Sequence, residues 1–164
     1  MPRRRYLFDP PERFVAGTIG EPGHRAFFLQ ARDGQRVVSV LLEKVQVAVL
    51  ADRLGELLAE LERRGVPEVL ATAADPTPGA GDTGPLDEPL NEAFRAGSLT
   101  LGWDGGASRI LVEARAQDEN GEAIDPDDDD DEDEDGPDLL RARISAADAR
   151  AFVSRATRVV AGGR

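Results

Sequence analysis

From Lys44 to Arg64 the apolar residues Val47, Leu50, Leu54, Leu57, Leu58 and Leu61 recur at spacings of three and four, and Asp52, Arg53, Glu56, Glu60 and Arg63 fall off that stripe. The pattern predicts an amphipathic helix with one buried side. Gly65 is placed to cap its C-terminus, with Pro67 just beyond. Upstream the apolar runs are shorter and punctuated by turn residues. Tyr6 to Phe8 reads as a short strand stopped by Asp9-Pro10-Pro11. Arg13 to Ile19 and His24 to Arg32 read as strands joined by Gly20-Glu21-Pro22-Gly23, and Asp33-Gly34 is a hairpin signal that returns the chain along Arg36 to Leu42. The runs at 24–32 and 36–42 are apolar on both faces for part of their length. That suits a sheet centre covered on one side by a helix and on the other by a partner surface.

Residues 66–90 are rich in Pro, Gly, Ala and Asp, with a short strand expected at Glu68 to Thr72 and a mobile stretch around Pro76 to Pro85. Periodicity resumes with strands at Phe94 to Trp103 and Ser108 to Gln117, joined by Asp104-Gly105. An acidic insertion spans 118–137, and a last strand runs from Leu139 to Ile144. Ser145 and Asp148 then mark the start of a final helix whose apolar face is Ala149, Phe152, Val153, Ala156, Val159 and Val160.

The two halves echo each other. Phe14-Val15-Ala16-Gly17-Thr18-Ile19 returns as Phe94-Arg95-Ala96-Gly97-Ser98-Leu99, Arg25–Arg32 as Ser108–Arg115, and Val37–Leu42 as Leu139–Ile144. The order of strands followed by a helix is the same in both. The expected fold is therefore α+β: duplicated strands-then-helix units forming a largely antiparallel sheet, two helices packed on one side, and a pseudo-two-fold between the halves. The units are 1–65 and 91–164, separated by the linker 66–90. Ala16-Gly17 and Ala96-Gly97 are expected to be places of close approach, because glycine inside a strand marks such contacts.

Charge changes this picture at one point. The net charge is −12, but Asp125 and the nine acids from Asp127 to Asp135 account for all but two of those charges. Nine consecutive carboxylates read as a solvated loop, dispensable for folding and able to meet a basic partner. Asp131 to Gly136 opens like a calcium loop, but its twelfth position is Ala142 where a bidentate Glu is needed. Lys44 is the only lysine beside abundant arginine, a compositional bias rather than a nucleic-acid signal. Aromatics for base stacking are scarce, at 5% of residues, so nucleic acid is an unfavoured partner. Absence of cysteine excludes disulfides, thiolate chemistry and cysteine-held zinc in this chain and fits a cytoplasmic setting. No apolar run approaches the ~20 residues of a membrane-spanning helix.

No catalytic signature is present, and no cofactor is expected. Glu43-Lys44-Val45-Gln46 starts the first helix, where backbone N–H groups favour anions and Glu43 and Gln46 are placed to cap. Glu43, Lys44, Gln46 and Trp103 are the candidate anion or partner contacts. An enzyme would have to use Glu43, Lys44 or His24, the only histidine. Arg3-Arg4-Arg5 could meet nucleic acid or pair with the acidic insertion. The leading reading is a non-enzymatic protein-interaction or adaptor module; a single-stranded nucleic-acid binder is the alternative. Oligomeric state is not legible.

Arg5-Tyr6-Leu7-Phe8-Asp9, the Phe-x-Ala-Gly-Thr strand, Leu42-Glu43-Lys44-x-Gln46-Val47-Ala48-Val49-Leu50 and Leu139-Leu140-Arg141-x-Arg143-Ile144-Ser145 resemble an uncharacterised actinobacterial family, domain of unknown function 3090. The resemblance covers nearly the whole chain and implies no activity. It implies zinc only for relatives that carry a cysteine-rich C-terminal tail, which this chain, ending at Arg164, lacks. Through gene neighbourhood it implies a histidine-phosphatase-like protein as partner.

Overall fold

A computed structural model describes residues 2–21, 23–73, 84–118, 120–129 and 134–162. The chain forms strands β1 (Arg5–Phe8), β2 (Arg13–Ile19), β3 (Ala26–Asp33) and β4 (Arg36–Leu42), then helices α1 (Lys44–Arg63) and α2 (Pro67–Ala73). Strands β5 (Glu92–Asp104), β6 (Arg109–Ala116) and β7 (Leu139–Ile144) and helix α3 (Ala146–Gly162) follow. All seven strands join one sheet in the order β1-β7-β6-β5-β4-β3-β2. The two meanders are antiparallel, and only the β1–β7 and β4–β5 pairings are parallel. The α+β class and the largely antiparallel sheet agree with the sequence reading. The helix count does not: α2 occupies the Glu68–Thr72 window expected to be a strand. Pro67 supplies its first position, where a missing N–H costs nothing. Most of the stretch expected to be mobile, from residue 74 to 83, lies outside the described residues.

One face of the sheet carries the core. Alternation puts Phe14 and Ala16 of β2, Phe27, Leu29 and Ala31 of β3, and Val38, Val40 and Leu42 of β4 on the same side. Val112 and Ala142 continue that side through β6 and β7. Against it pack the α1 stripe, with Val47, Leu50, Leu54, Leu58 and Leu61 buried, and Ala149, Phe152 and Ala156 of α3. The sheet bends round this face. Arg36, at the start of β4, donates to the Leu7 carbonyl of β1 (2.7 Å) and stands over the Phe8 ring, although β1 and β4 are not neighbours in the sheet. α1 stops as its sequence requires. Gly65 takes φ +75°, its N–H donates to Glu62 O, and Val66 N–H donates to Leu61 O, closing the helix end with a left-handed residue.

The opposite face corrects an expectation. It was to be covered by a partner, but segments of the chain itself cover it. Over β2–β4 lies Asp87, whose carboxylate accepts from Arg13 Nη1 and Arg32 Nη1, both at 2.9 Å. Its backbone N–H donates to Gln30 Oε1 (2.7 Å), and Gln30 Nε2 donates to the buried Ser39 Oγ (3.1 Å). Over β6–β7 lies Asp129, from the stretch expected to be solvated. Its Oδ2 accepts from Arg3 Nη2 (2.6 Å) and Arg115 Nε (2.9 Å), and the three side chains are 4%, 0% and 4% exposed respectively. Glu113 bridges onward, accepting from Arg115 Nη1 at 2.8 Å and from Arg141 Nε. Arg3 is thus not on a loose terminus; of the two roles open to the arginine run, it takes the pairing with the acidic insertion. Residues 131–133 of the run that opens like a calcium loop lie outside the described residues.

Two tests arise here. A Cβ on Gly17 would come 2.5 Å from Leu86 Cδ2 and 3.2 Å from an Arg155 Nη, and one on Gly97 would come 3.1 Å from the Gln117 and Ala123 backbones, so both glycines are close approaches as expected. Gly17→Val is expected to cost ~1–3 kcal/mol by overpacking, measured by denaturant titration; a neutral result would mean that Leu86 yields freely. The second concerns Asp87. Burial pushes its carboxyl up, but the hydrogen bonds and charges of Arg13 and Arg32 together outweigh this and hold it below the ordinary aspartate range. A carboxylate lowered in the folded state adds stability above its unfolded value of ~3.9 and loses it as pH falls through the folded value. Asp87→Asn should therefore be less stable than the parent at neutral pH, by about 2 kcal/mol for charge-assisted hydrogen bonds, and the gap should close on acidification below pH ~4. A gap independent of pH would assign the loss to shape rather than charge.

Candidate interaction groove

The start of α1 is built by Glu43 and Gln46. Glu43 N–H donates to Gln46 Oε1 (2.7 Å), and Gln46 Nε2 reaches across to the Ala96 carbonyl of β5 (3.1 Å). Gln46 therefore ties the helix to the strand with both ends of its amide. Glu43 and Lys44 remain exposed at the helix start. Trp103 lies further along β5, opposite Ile110 and half-buried against the core. The register of Phe27 opposite Leu42 puts the His24 turn at the same end of the sheet as Glu43 and Lys44. Among the described residues no hydrogen bond or ion pair joins those three, and no group of His, Cys, Asp or Glu is placed to hold a metal.

Between α1 and β5 runs an open groove of about 850 Å³. Val45, Gln46, Val49, Leu50 and Leu57 line one wall, and Gly97, Leu99, Thr100 and Leu101 the other. Val45 is 60% exposed and Val49 44%, two β-branched apolar side chains in water, off the stripe by which the helix packs on the sheet. Arg53, Glu56, Glu60 and Arg63 form the far rim. Glu60 accepts from Arg63 (2.5 Å) and Arg64 (3.0 Å), first Arg63 and then Arg64 holding its carboxyl below the usual range, so this part of the rim is charge-paired. Of the candidate contacts, Gln46 lies in the groove wall, Glu43 and Lys44 precede it, and Trp103 follows Leu101 by two residues on β5. Val45, Val49 and Arg53 were not singled out from sequence. Their signal was the two valines off the helical stripe.

A mixed, largely antiparallel sheet with its helices on one face and its other face overlain by the chain's own segments defines the class, an α+β domain. No helix is long and apolar enough to cross a membrane. The chain belongs to the family described as "Protein of unknown function (DUF3090)", which matches residues 6–164. Comparison with curated proteins and with solved structures gave no match.

Proposed function

We propose that this protein is a non-enzymatic interaction module that receives a protein partner in the α1–β5 groove. The supporting observation is the pair of exposed valines, Val45 and Val49, facing Leu99 and Leu101 across an open cleft. Burying such side chains against a partner removes apolar surface from water, at about 25 cal/mol per Å², while the charged rim sets orientation. Lys44 and Glu43 stand at the mouth and serve as rim contacts; Trp103 extends the β5 wall. The partner drawn from the resemblance is a histidine-phosphatase-like protein, and the working compartment is the cytoplasm.

The test is a double substitution, Val45→Asp with Val49→Asp. Both positions are exposed, so the melting temperature should hold. A protein captured by the parent chain, then purified and titrated against both forms, should bind the variant at least about tenfold more weakly, the loss expected of groove anchors. Equal affinity for the two forms would remove the groove from the interaction.

A further inference from the structure

The strand registers relate the halves differently from the sequence echo. Gln30 lies opposite Ser39 as Glu113 lies opposite Arg141, and Phe27 opposite Leu42 as Ile110 opposite Ile144, so the last two strands of each meander match the echo. The first strands do not. Ala31 faces Phe14, but its counterpart Ala114 faces Leu99, five residues beyond Phe94. By register the counterpart of Gly17 is therefore Gly102. In the first half the Gly17 slot is filled: Leu86 lies against it, and Arg155 of α3 donates to the Ala16 carbonyl and to the Gly84 carbonyl, both at 2.7 Å. In the second half a Cβ on Gly102 would meet nothing within 4 Å. Counted from the two helix starts, Arg53 of α1 holds the place of Arg155; it lies exposed on the groove rim, with no hydrogen-bond or ion-pair partner among the described residues.

The edge of β5 supplies an independent observation. β4 pairs with β5 only along Glu92 to Arg95 and then turns away into α1. Gln46 and Gln117 meet the Ala96 carbonyl where β4 departs. From Ser98 to Asp104, β5 is paired with β6 on one side and, among the described residues, with no strand on the other. Alternate residues of an antiparallel strand turn their N–H and C=O groups away from the partner. An edge of this length is thus a template for another strand, and α1 overhangs it, so access is through the groove.

We infer that the groove takes an extended segment of a partner protein, which adds as a strand to β5 along Ser98–Asp104. Its alternate apolar side chains enter between Val49, Leu57, Leu99 and Leu101, and Arg53 receives one of its backbone carbonyls as Arg155 receives that of Gly84. The occupant is an extended stretch whose apolar residues alternate with polar ones, matching the alternation of Leu99 and Leu101, on the helix side, with Thr100 and Gly102 along β5. Main-chain pairing gives such complexes affinity, and alternate side-chain pockets give them specificity.

This inference rests on the groove reading, and the test separates the two. Displayed random peptides about nine residues long, enough for a ~30 Å strand, are selected against the full chain, and the strongest is followed by amide hydrogen exchange. Enriched sequences should alternate apolar and polar residues, and exchange at Ser98–Trp103 should slow about tenfold or more on binding. Arg53→Ala should weaken the peptide several-fold without moving the melting temperature. A peptide that is lost on the Val45→Asp/Val49→Asp variant yet leaves the β5 amides unprotected, or that carries apolar residues at helical spacing, overturns strand addition and leaves the groove standing. Failure to enrich any peptide, or enrichment of one indifferent to that variant, overturns both.

Discussion

Asp129→Ala should destabilise the protein by ~3–5 kcal/mol, the cost of breaking a buried ion pair by removing one partner. Arg3 and Arg115 both place a guanidinium nitrogen on Asp129 Oδ2, and neither side chain is more than 4% exposed. Without the carboxylate, two cations face each other in a site that water hardly enters. Glu113 cannot compensate both, because it already receives Arg115 and Arg141. Asp129→Asn keeps the shape and removes the charge, so it should lose nearly as much. Asp127→Ala, on an exposed neighbour, should be close to neutral. Replacing 125–135 with a Gly-Ser linker deletes Asp129 too and should cost a comparable amount, the reverse of what an entirely solvated loop would give. Urea titration of these four proteins is the measurement, and wild-type stability for Asp129→Ala would show that the arginines are held by other groups.

That reversal shows what kind of information the sequence withholds. Within nine consecutive acids nothing local sets Asp129 apart. Its burial is decided by Arg3 and Arg115, distant in sequence and brought over it by the parallel β1–β7 pairing and by β6. Elements written in local chemistry were legible. The α1 stripe, the β2 and β4 runs and the Ser145 cap, whose Oγ accepts from Asp148 N–H at 3.1 Å, appear where periodicity and capping residues put them. Short windows were ambiguous: Glu68 to Thr72 forms a helix because Pro67 starts it and Val69 is fully buried. The echo of Phe14 in Phe94 was real as sequence but not as position. Phe14 pairs within β2–β3 and stacks on Phe152, whereas Phe94 pairs with β4 and stacks on Tyr6. The slip arises because β5 is 13 residues long and its first part is spent on β4. The groove was half legible. Gln46 was named, both as a cap and as a candidate contact, but its tie to the Ala96 carbonyl was not, and Val45 and Val49 gain meaning only once β5 stands opposite them.

Phe152→Ala should be the costliest truncation, ~3–5 kcal/mol, and its counterpart Leu50→Ala should cost less, about 2–3 kcal/mol. Both side chains are fully buried on the inner face of their helices, at 1% and 2% exposure. They differ in what lies beyond them. The Phe152 ring stacks on Phe14 with centroids 5.0 Å apart, between α3 and the edge strand β2. On the far side of that strand Leu86 and Arg155 close the region. Removing the ring leaves an enclosed apolar void, and β2, paired on one side only, loses its main anchor. Such a void stays dry, and its lining loses dispersion contacts outright. Leu50 also lines the α1–β5 groove. Its truncation deepens a space already open to solvent and flanked by the Gln46 amide, so water fills part of what is lost. The order of the two values is the test, read from denaturant midpoints at equal slope. A larger loss at Leu50 than at Phe152 would mean that the groove is closed in solution, and the interaction surface proposed for it would go with it.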